Sequence, residues 1–411
     1  MSACIWYISK YAAPPPYGRV GRRPFYLMRE MARLGHRAVI VTSDSNHLAS
    51  APDFKGSHLR THVDGVDVCW VRTFKYQRAN SWRRVVSWLD FEWKVARLPT
   101  DGLPPPDAII VSSLSLLTIF SGLLLKRRYG CRLVFEVRDI WPLTIIEEGG
   151  FSPRNPGVMV LRWIEKMAYQ RADLVVGTMP NLKQHVDESL GDRHAPVACI
   201  PFGVDPDMTE KAEPLPAEWI AQHVPQGKLI VCHAGTIGVT NALEVLFDCA
   251  RSMKGVPDVH FLIVGEGALK PKFEAECADL PNVTFTGSVP MSQVQSVLAL
   301  SDLLYFSVKP SRVWKYGMSL NKVIDYMLAG KLIIASYAGH PTMVDEAGSG
   351  VSVPPGDAVA LKSEILRLAA LPPAEREAMG RTGRDWILRH RDYRTLAENY
   401  LRLALPDQIS A

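Results

Sequence analysis

Ile5-Trp6-Tyr7-Ile8 opens a stretch that continues through a Pro-, Gly- and Arg-rich loop at 9–23 into Pro24-Phe25-Tyr26-Leu27-Met28, then Leu34-Gly35-His36, and closes on Ala38-Val39-Ile40-Val41. The two short apolar runs read as buried strands. Pro24 suits the first turn of a helix, where its missing N–H is not needed. Leu27, Met31 and Leu34 fall on one helical face, and Gly35 is a natural stop. Two strands joined by a crossover helix run parallel.

Working outward, the alternation persists. Strands are read at 66–71, 107–111, 133–137, 174–177 and 197–200, and helices around 82–97, 116–129, 158–171 and 181–189. This is the rhythm of a doubly wound α/β domain. Pro201-Phe202-Gly203-Val204-Asp205-Pro206-Asp207 and the proline-bearing 210–225 interrupt it and read as a connection. A second series follows, with strands at 229–233, 260–264, 283–285, 303–306, 332–335 and 350–353 and helices between them, including 241–253 and 321–328. The closing helices, 373–391 and 393–404, either cap the second sheet or cross back to the first domain. No internal repeat stands out beyond the shared fold type. The expected architecture is α/β, with two Rossmann-like doubly wound domains facing a cleft: 1–203, joined by 393–411, and 204–392. Ligands in such sheets sit at the carboxyl ends of the strands.

Composition agrees. The chain has 411 residues, 47% hydrophobic and 22% charged, with net charge +5, the balance of a folded globular protein. That charge is too small to indicate nucleic acid and suits nucleotides or an anionic membrane surface. Seven cysteines without Cys-x-x-Cys spacing predict reduced, buried thiols and a cytoplasmic setting. Residues 1–8 lack a basic n-region, so no signal peptide is expected. The apolar run 108–125 is broken by serines and Gly122 and reads as a strand and a buried helix rather than a membrane span.

The chemistry-bearing residues cluster just after strands. Gly18 and Arg19, with Gly21, Arg22 and Arg23, lie in the loop after the first strand; close backbone approach and bidentate arginines suit a phosphate, whereas a surface loop with a basic cap is the alternative. His233-Ala234-Gly235-Thr236-Ile237-Gly238 ends the first strand of the second series, where backbone amides can face a diphosphate. Glu266 lies in Gly265-Glu266-Gly267 after the next strand, a weaker signal that an ordinary turn also explains. Arg138 and Asp139 tip a strand of the first series, as site residues or as a structural ion pair. The richest segment is Arg312 to Gly330. Ser319 is read as the N-cap of a helix holding Asn321 and Lys322 in its first turn, and a lysine set against the helix dipole calls for an anionic ligand. Asp325, one turn on, can accept hydrogen bonds from a diol such as ribose.

Pro14-Pro15 through Leu34-Gly35-His36, Arg138-Asp139-Ile140-Trp141-Pro142, Pro201-Phe202-Gly203-Val204-Asp205, and Tyr316-Gly317 through Asn321-Lys322 to Asp325-Tyr326-Met327-Leu328-Ala329-Gly330 together resemble bacterial retaining glycosyltransferases of family four, with the two-domain GT-B fold. Within them the chain is similar to the surface-polysaccharide branch containing N-acetylfucosaminyl transferases. The resemblance implies a nucleotide-sugar donor, in the first place UDP-linked, a lipid-linked glycan acceptor, front-face chemistry in which the leaving phosphate takes the acceptor proton, and no cofactor or essential metal. It implies ribose binding at Asp325, diphosphate binding at Lys322, Arg312 and 235–238, and a reacting centre faced by Arg138 and Asp139. Gly317 stands where many members carry the first of two glutamates, Arg138 where many carry histidine, and Leu143 where the branch often has glutamate. Asp205-Pro206-Asp207 looks like an Asp-x-Asp metal motif, but its place in the connection favours a structural reading. Trp82, Arg83, Arg84 and Trp88, with Trp93, mix aromatic and basic residues on one helix, which suits peripheral contact with the cytoplasmic membrane face. An epimerase of the same fold, or a nucleotide-sugar-binding protein without catalysis, are the rival readings.

Overall fold

The first strand, β1 (Cys4–Ile8), is buried along its whole length and lies at the centre of an eight-stranded sheet. A computed structural model describes residues 2–18, 21–47, 49–76, 81–204 and 212–406. The chain divides into two compact units, Met1–Gly203 with Tyr393–Ala411, and Val204–Asp392.

In the first unit β1 pairs in parallel with β2 (Arg37–Ser43) on one side and β5 (Ala108–Ser112) on the other. Beyond β2 lie β4 (Val66–Val71) and β3 (His58–Val63); beyond β5 lie β6 (Arg132–Val137), β7 (Leu174–Gly177) and β8 (Val197–Cys199). All pairings are parallel except β3 with β4. That antiparallel strand is absent from the sequence reading. Its signal is present in the turn: Asp64 and Gly65 both hold positive φ, 47° and 84°, as a two-residue hairpin of the Asp-Gly kind requires.

The helix Arg23–Arg33 starts where Pro24 places it and packs Phe25, Leu27, Met28 and Met31 into the core. The last helix, Tyr393–Ala404, packs against it, with the Tyr26 and Tyr393 rings 5.1 Å apart. Tyr393, Leu396, Ala397, Tyr400, Leu401 and Ala404 are all buried in that core. Full burial of one large apolar side chain contributes about 1.5–3 kcal/mol, so this helix is a structural part of the first unit.

The second unit holds a six-stranded, wholly parallel sheet in the order β11 (Val283–Gly287), β10 (Val259–Val264), β9 (Leu229–Ala234), β12 (Leu303–Ser307), β13 (Leu332–Ser336), β14 (Gly350–Val353). The helix Pro373–His390 covers this sheet by close approach: a Cβ on Gly380 would stand 2.2 Å from the Gly330 carbonyl oxygen. Each closing helix therefore serves a different unit. The connection also contains a short helix, Ala217–His223, that the proline content obscured.

None of the seven cysteines is in a disulfide, and six are buried; Cys199 is exposed, against the expectation that all are interior. The run after β5 is a strand followed by the helix Thr118–Tyr129. No helix among the described residues is long and apolar enough to cross a membrane.

Candidate active site

Strand order reverses between β9 and β12, so the loops that leave these two strands diverge at the carboxyl edge of the sheet, the usual place for a ligand in such folds. The loop after β9 contains Gly235, Thr236 and Gly238. It lies beside the loop after β10, joined by main-chain hydrogen bonds from Gly235 N to Val264 O (2.9 Å), Ile237 N to Glu266 O (2.9 Å) and Leu269 N to Ile237 O (3.1 Å). This contact explains the Gly-x-Gly pair. A Cβ on Gly265 would stand 1.9 Å from the Gly235 carbonyl oxygen, and one on Gly267 2.1 Å from that of Ile237. The two glycines let the β9 loop be braced from behind. The Glu266 carboxylate instead turns to solvent and pairs with Lys270 at 2.7 Å, which is the ordinary-turn reading of that motif.

The helix expected from 241 begins later. A 3₁₀ turn, Val239–Asn241, comes first, Ala242 takes positive φ (42°), and the helix Glu244–Ser252 follows. The β9 loop therefore runs into a 3₁₀ turn and not directly into a helix end.

The helix Asn321–Leu328 starts as read, but its cap differs. Leu320 occupies the N-cap position without a side-chain bond. Ser319 is not the cap; it precedes Leu320, and its Oγ is buried with no partner among the described residues. Asn321 is exposed at the helix start. Lys322 reaches toward the β9 loop, where its ammonium donates to Asn241 Oδ1; Asn241 Nδ2 in turn donates to Thr236 O at 2.8 Å. Among the described residues no carboxylate pairs with Lys322, and burial lowers its pKa to about 8. Asp325 is half-buried one turn later. Its main-chain carbonyl accepts from Gln295 Nε2 (3.1 Å), its carboxylate has no partner among the described residues, and desolvation raises its pKa to about 7. The two opposite charges therefore do not neutralise each other, although helical neighbours three apart often do.

Tyr326 positions this helix and was missed in the sequence as a site residue. Its hydroxyl accepts from Ala234 N at 2.8 Å and donates to Ala234 O at 2.9 Å, tying the helix to the end of β9. His233, on β9, is wholly buried; burial first, and then the Lys322 charge, lower its pKa to about 3 and keep the ring neutral. Arg312 lies exposed on the 3₁₀ segment Arg312–Tyr316 after β12. That segment ends on Gly317 with φ 105°, a conformation that favours glycine.

In the first unit Arg138 follows β6. Its amide donates to Ser113 Oγ at 3.0 Å, and its guanidinium lies 5.2 Å from the Phe202 ring centre. Nε and Nη1 are buried without hydrogen-bond partners among the described residues. Asp139 does not form the ion pair of the alternative, structural reading with it, since no contact within 4.0 Å joins them among the described residues. Asp139 keeps solvent contact while protein crowds it, and desolvation, outweighing Arg138, raises its pKa. The loop after β1 is built structurally: Gly18 bridges Ala49, Arg22 donates to Gly18 O, and Arg23 is buried against Glu136 at 3.2 Å. Arg23 is thus committed to a buried ion pair, and Arg22 braces the loop. Arg19 lies outside the described residues, as does Asp205-Pro206-Asp207.

The aromatic and basic helix Trp82–Ala96 is also sorted by the structure. Arg84 Nε and Trp88 Nε1 turn inward to donate to Tyr11 Oη at 3.0 and 2.7 Å, whereas Trp82 and Arg83 are exposed. Arg84 and Trp88 therefore do not belong to an outer membrane face.

Residues 20–203 match the family described as Glycosyl transferase 4-like domain, and residues 228–370 match Glycosyl transferases group 1. The probable glycosyltransferase WbjE of Pseudomonas aeruginosa is 23% identical over 277 residues, a match that spans 64% of this chain and 66% of that relative. Among solved structures, sucrose-phosphate synthase from Thermosynechococcus elongatus is similar over 100% of both chains, with TM-score 0.72 at 18% identity. A glycosyltransferase from Rickettsia africae is similar over 100% of both at 0.66 and 15%, and Anabaena HepE over 98% of this chain and 99% of its own at 0.64 and 14%. With the two glycosyltransferase domains in order along the sequence and each unit an α/β fold on a parallel or mainly parallel sheet, the chain is a glycosyltransferase of the GT-B type.

Proposed function

We propose that this protein is a retaining glycosyltransferase that moves a sugar from a UDP-linked donor to a hydroxyl of a lipid-linked glycan, in bacterial surface-polysaccharide synthesis. The observation that carries the donor half is the pair Lys322 and Asp325: an ammonium and a carboxylate on successive turns of one helix, both desolvated and unneutralised, beside a loop whose glycines expose backbone. Isolated half-buried charges are unfavourable unless something completes them. A nucleoside diphosphate does so, with phosphate oxygens on Lys322 and the Thr236 and Gly238 amides, since those of Gly235 and Ile237 already donate to the β10 loop, and ribose hydroxyls donating to Asp325. HepE is known in complex with UDP and with UDP-glucose, which supports uridine for a chain of the same fold.

In this reading Lys322, Arg312 and the loop amides stabilise the charge that grows on the departing diphosphate, so no essential metal and no cofactor are invoked. Ser319 and Asn321 lie at the same helix start and would contribute to the donor pocket. Arg138 and Asp139 would face the reacting centre. The leaving phosphate oxygen takes the acceptor proton on the face the sugar leaves from, so no separate base is required. The lipid-linked acceptor and the N-acetylfucosaminyl branch rest on the sequence resemblance.

Calorimetric titration of the full chain with UDP tests the donor half. Binding that falls about tenfold or more in Asp325→Ala and in Lys322→Ala is expected; unchanged affinity in either would remove that residue from the site. Incubating UDP-sugars with and without acceptor separates transfer from epimerisation, because an epimerase consumes donor alone.

A further inference from the structure

Large apolar side chains exposed to solvent are concentrated on three neighbouring helices of the first unit. On Trp82–Ala96 they are Trp82 (71% exposed), Val85, Leu89 and Trp93. Their spacing of three, four and four residues makes one stripe along the helix, while Ser87, Phe91, Glu92 and Val95 face inward. On Thr118–Tyr129 they are Phe120 and Leu124, and on Pro156–Arg171 they are Met159, Val160 and Trp163 (60% exposed). The patches adjoin. The first two helices pack together, and the Phe120 and Trp163 rings lie 6.4 Å apart. Nine of the fifteen large apolar side chains exposed among the described residues fall here, more clustering than scattered surface residues show.

The charges on these helices point the same way. Every exposed charged residue on the three is an arginine: Arg83, Arg127, Arg128, Arg162 and Arg171. The acids are withdrawn: Glu92 and Glu165 are buried, and Asp90 is paired with Lys94 at 2.9 Å. Arg97, just past the first helix, lies 4.4 Å from the Trp93 ring centre. Tryptophan and phenylalanine with arginine, and no exposed acid, are the composition of a surface that enters the headgroup layer of an anionic bilayer.

We infer that this three-helix face docks the first unit onto an anionic lipid surface. The proposal deepens the reading that the acceptor is lipid-linked, because it names the surface that would hold the enzyme where such an acceptor resides. It also replaces Arg84 and Trp88, which turn inward to Tyr11, with Leu89, Trp93, Phe120 and Trp163.

The test is sedimentation of the full chain with phosphatidylcholine vesicles and with vesicles that also contain phosphatidylglycerol, reading bound fraction and tryptophan emission. Binding to the anionic vesicles is expected, with a blue-shifted emission and release as salt rises. A Leu89→Ser/Trp93→Ser/Trp163→Ser variant and, separately, an Arg127→Glu/Arg128→Glu variant should each bind at least tenfold more weakly. Equal binding by wild type and both variants overturns the proposal, as does failure of the wild type to bind anionic vesicles. A wild-type dimer in sedimentation velocity that the apolar variant abolishes also overturns it, by assigning the face to a second copy. UDP titration on the same samples keeps the two readings apart. Vesicle binding lost with UDP binding intact counts against docking alone in the wild type and locates the docking face in a variant; the converse counts against the donor site.

Discussion

Lys322 and Asp325 link stability to function with opposite signs. A carboxyl whose pKa is raised by folding destabilises the fold when ionised. For Asp325 that penalty is absent below its ordinary value near 4 and fully present above about 7. A lysine whose pKa is lowered destabilises while protonated; for Lys322 the penalty is present below about 8 and vanishes above its ordinary value near 10. Near pH 7.5 both act. Asp325→Asn and Lys322→Met should therefore raise the thermal midpoint of the second unit, by about 2–4 °C per kcal/mol relieved, while weakening UDP-glucose binding about tenfold or more. Differential scanning calorimetry beside titration checks both; a lowered midpoint would mean that these charges are structural. Affinity of the wild type should peak between pH 7 and 8, falling on the acid side as Asp325 protonates and on the alkaline side as Lys322 deprotonates. UDP-glucose is the better probe because its bridging phosphates do not titrate there. Asp325→Asn should remove the acid limb only. Gly267→Ala offers a separate test of the braced loop: its methyl group would meet the Ile237 carbonyl oxygen at 2.1 Å, so the loop must shift and UDP affinity should fall although no ligand group is removed. Wild-type affinity in that variant would show that the loop does not form the site.

At the scale of elements, the helix Asn321–Leu328 serves the site only while it is pinned to β9, and the pin is Tyr326. Removing its hydroxyl leaves the Ala234 amide and carbonyl without this partner in a buried place, a loss of about 1–3 kcal/mol. Tyr326→Phe should lower the stability of the second unit by that amount in urea unfolding and weaken UDP binding through displacement of Lys322. An unchanged denaturation midpoint would deny the pin. Elements of this kind set the limit of sequence reading. Strands β9 to β14 and the helix start at Asn321 were legible because apolar runs and turn residues are local signals. The Tyr326 contact was not, because position 326 reads as another apolar residue of an amphipathic helix, and its partner lies 92 positions away. Ser319 misled for a related reason. A serine shortly before a helix is a cap by composition, and only backbone geometry shows Leu320 in that place. Strand β3 was missed although Asp64-Gly65 announces its turn, since His58–Val63 carries polar side chains at alternate positions on an edge and makes no apolar run.

For the whole molecule, the closing helices raise the question of which unit depends on which part of the chain. Their alternation stops after β14, and composition leaves both destinations open. Burial decides it. Gly380 and Gly383 bring Pro373–His390 against the second unit, at Gly330 and Ser349. Tyr393 to Ala404 completes the core of the first unit, though it is separated from that unit's other residues by the entire second unit. Removing everything after Asp392 would uncover the face of the helix Arg23–Arg33 that carries Tyr26 and delete four large buried side chains: Tyr393, Leu396, Tyr400 and Leu401. At about 1.5–3 kcal/mol each, that loss is comparable to the 5–15 kcal/mol that keeps an ordinary domain folded. A chain ending at Asp392 should therefore lose the first unit as a cooperative fold while the second keeps its sheet and its Lys322–Asp325 site. Limited proteolysis is expected to degrade 1–203 and to spare a fragment from the second unit, and that fragment should still bind UDP. Two intact cooperative transitions in calorimetry of the truncated chain would show that the last helix is an accessory. Loss of both transitions would show that the second unit needs the first in order to fold.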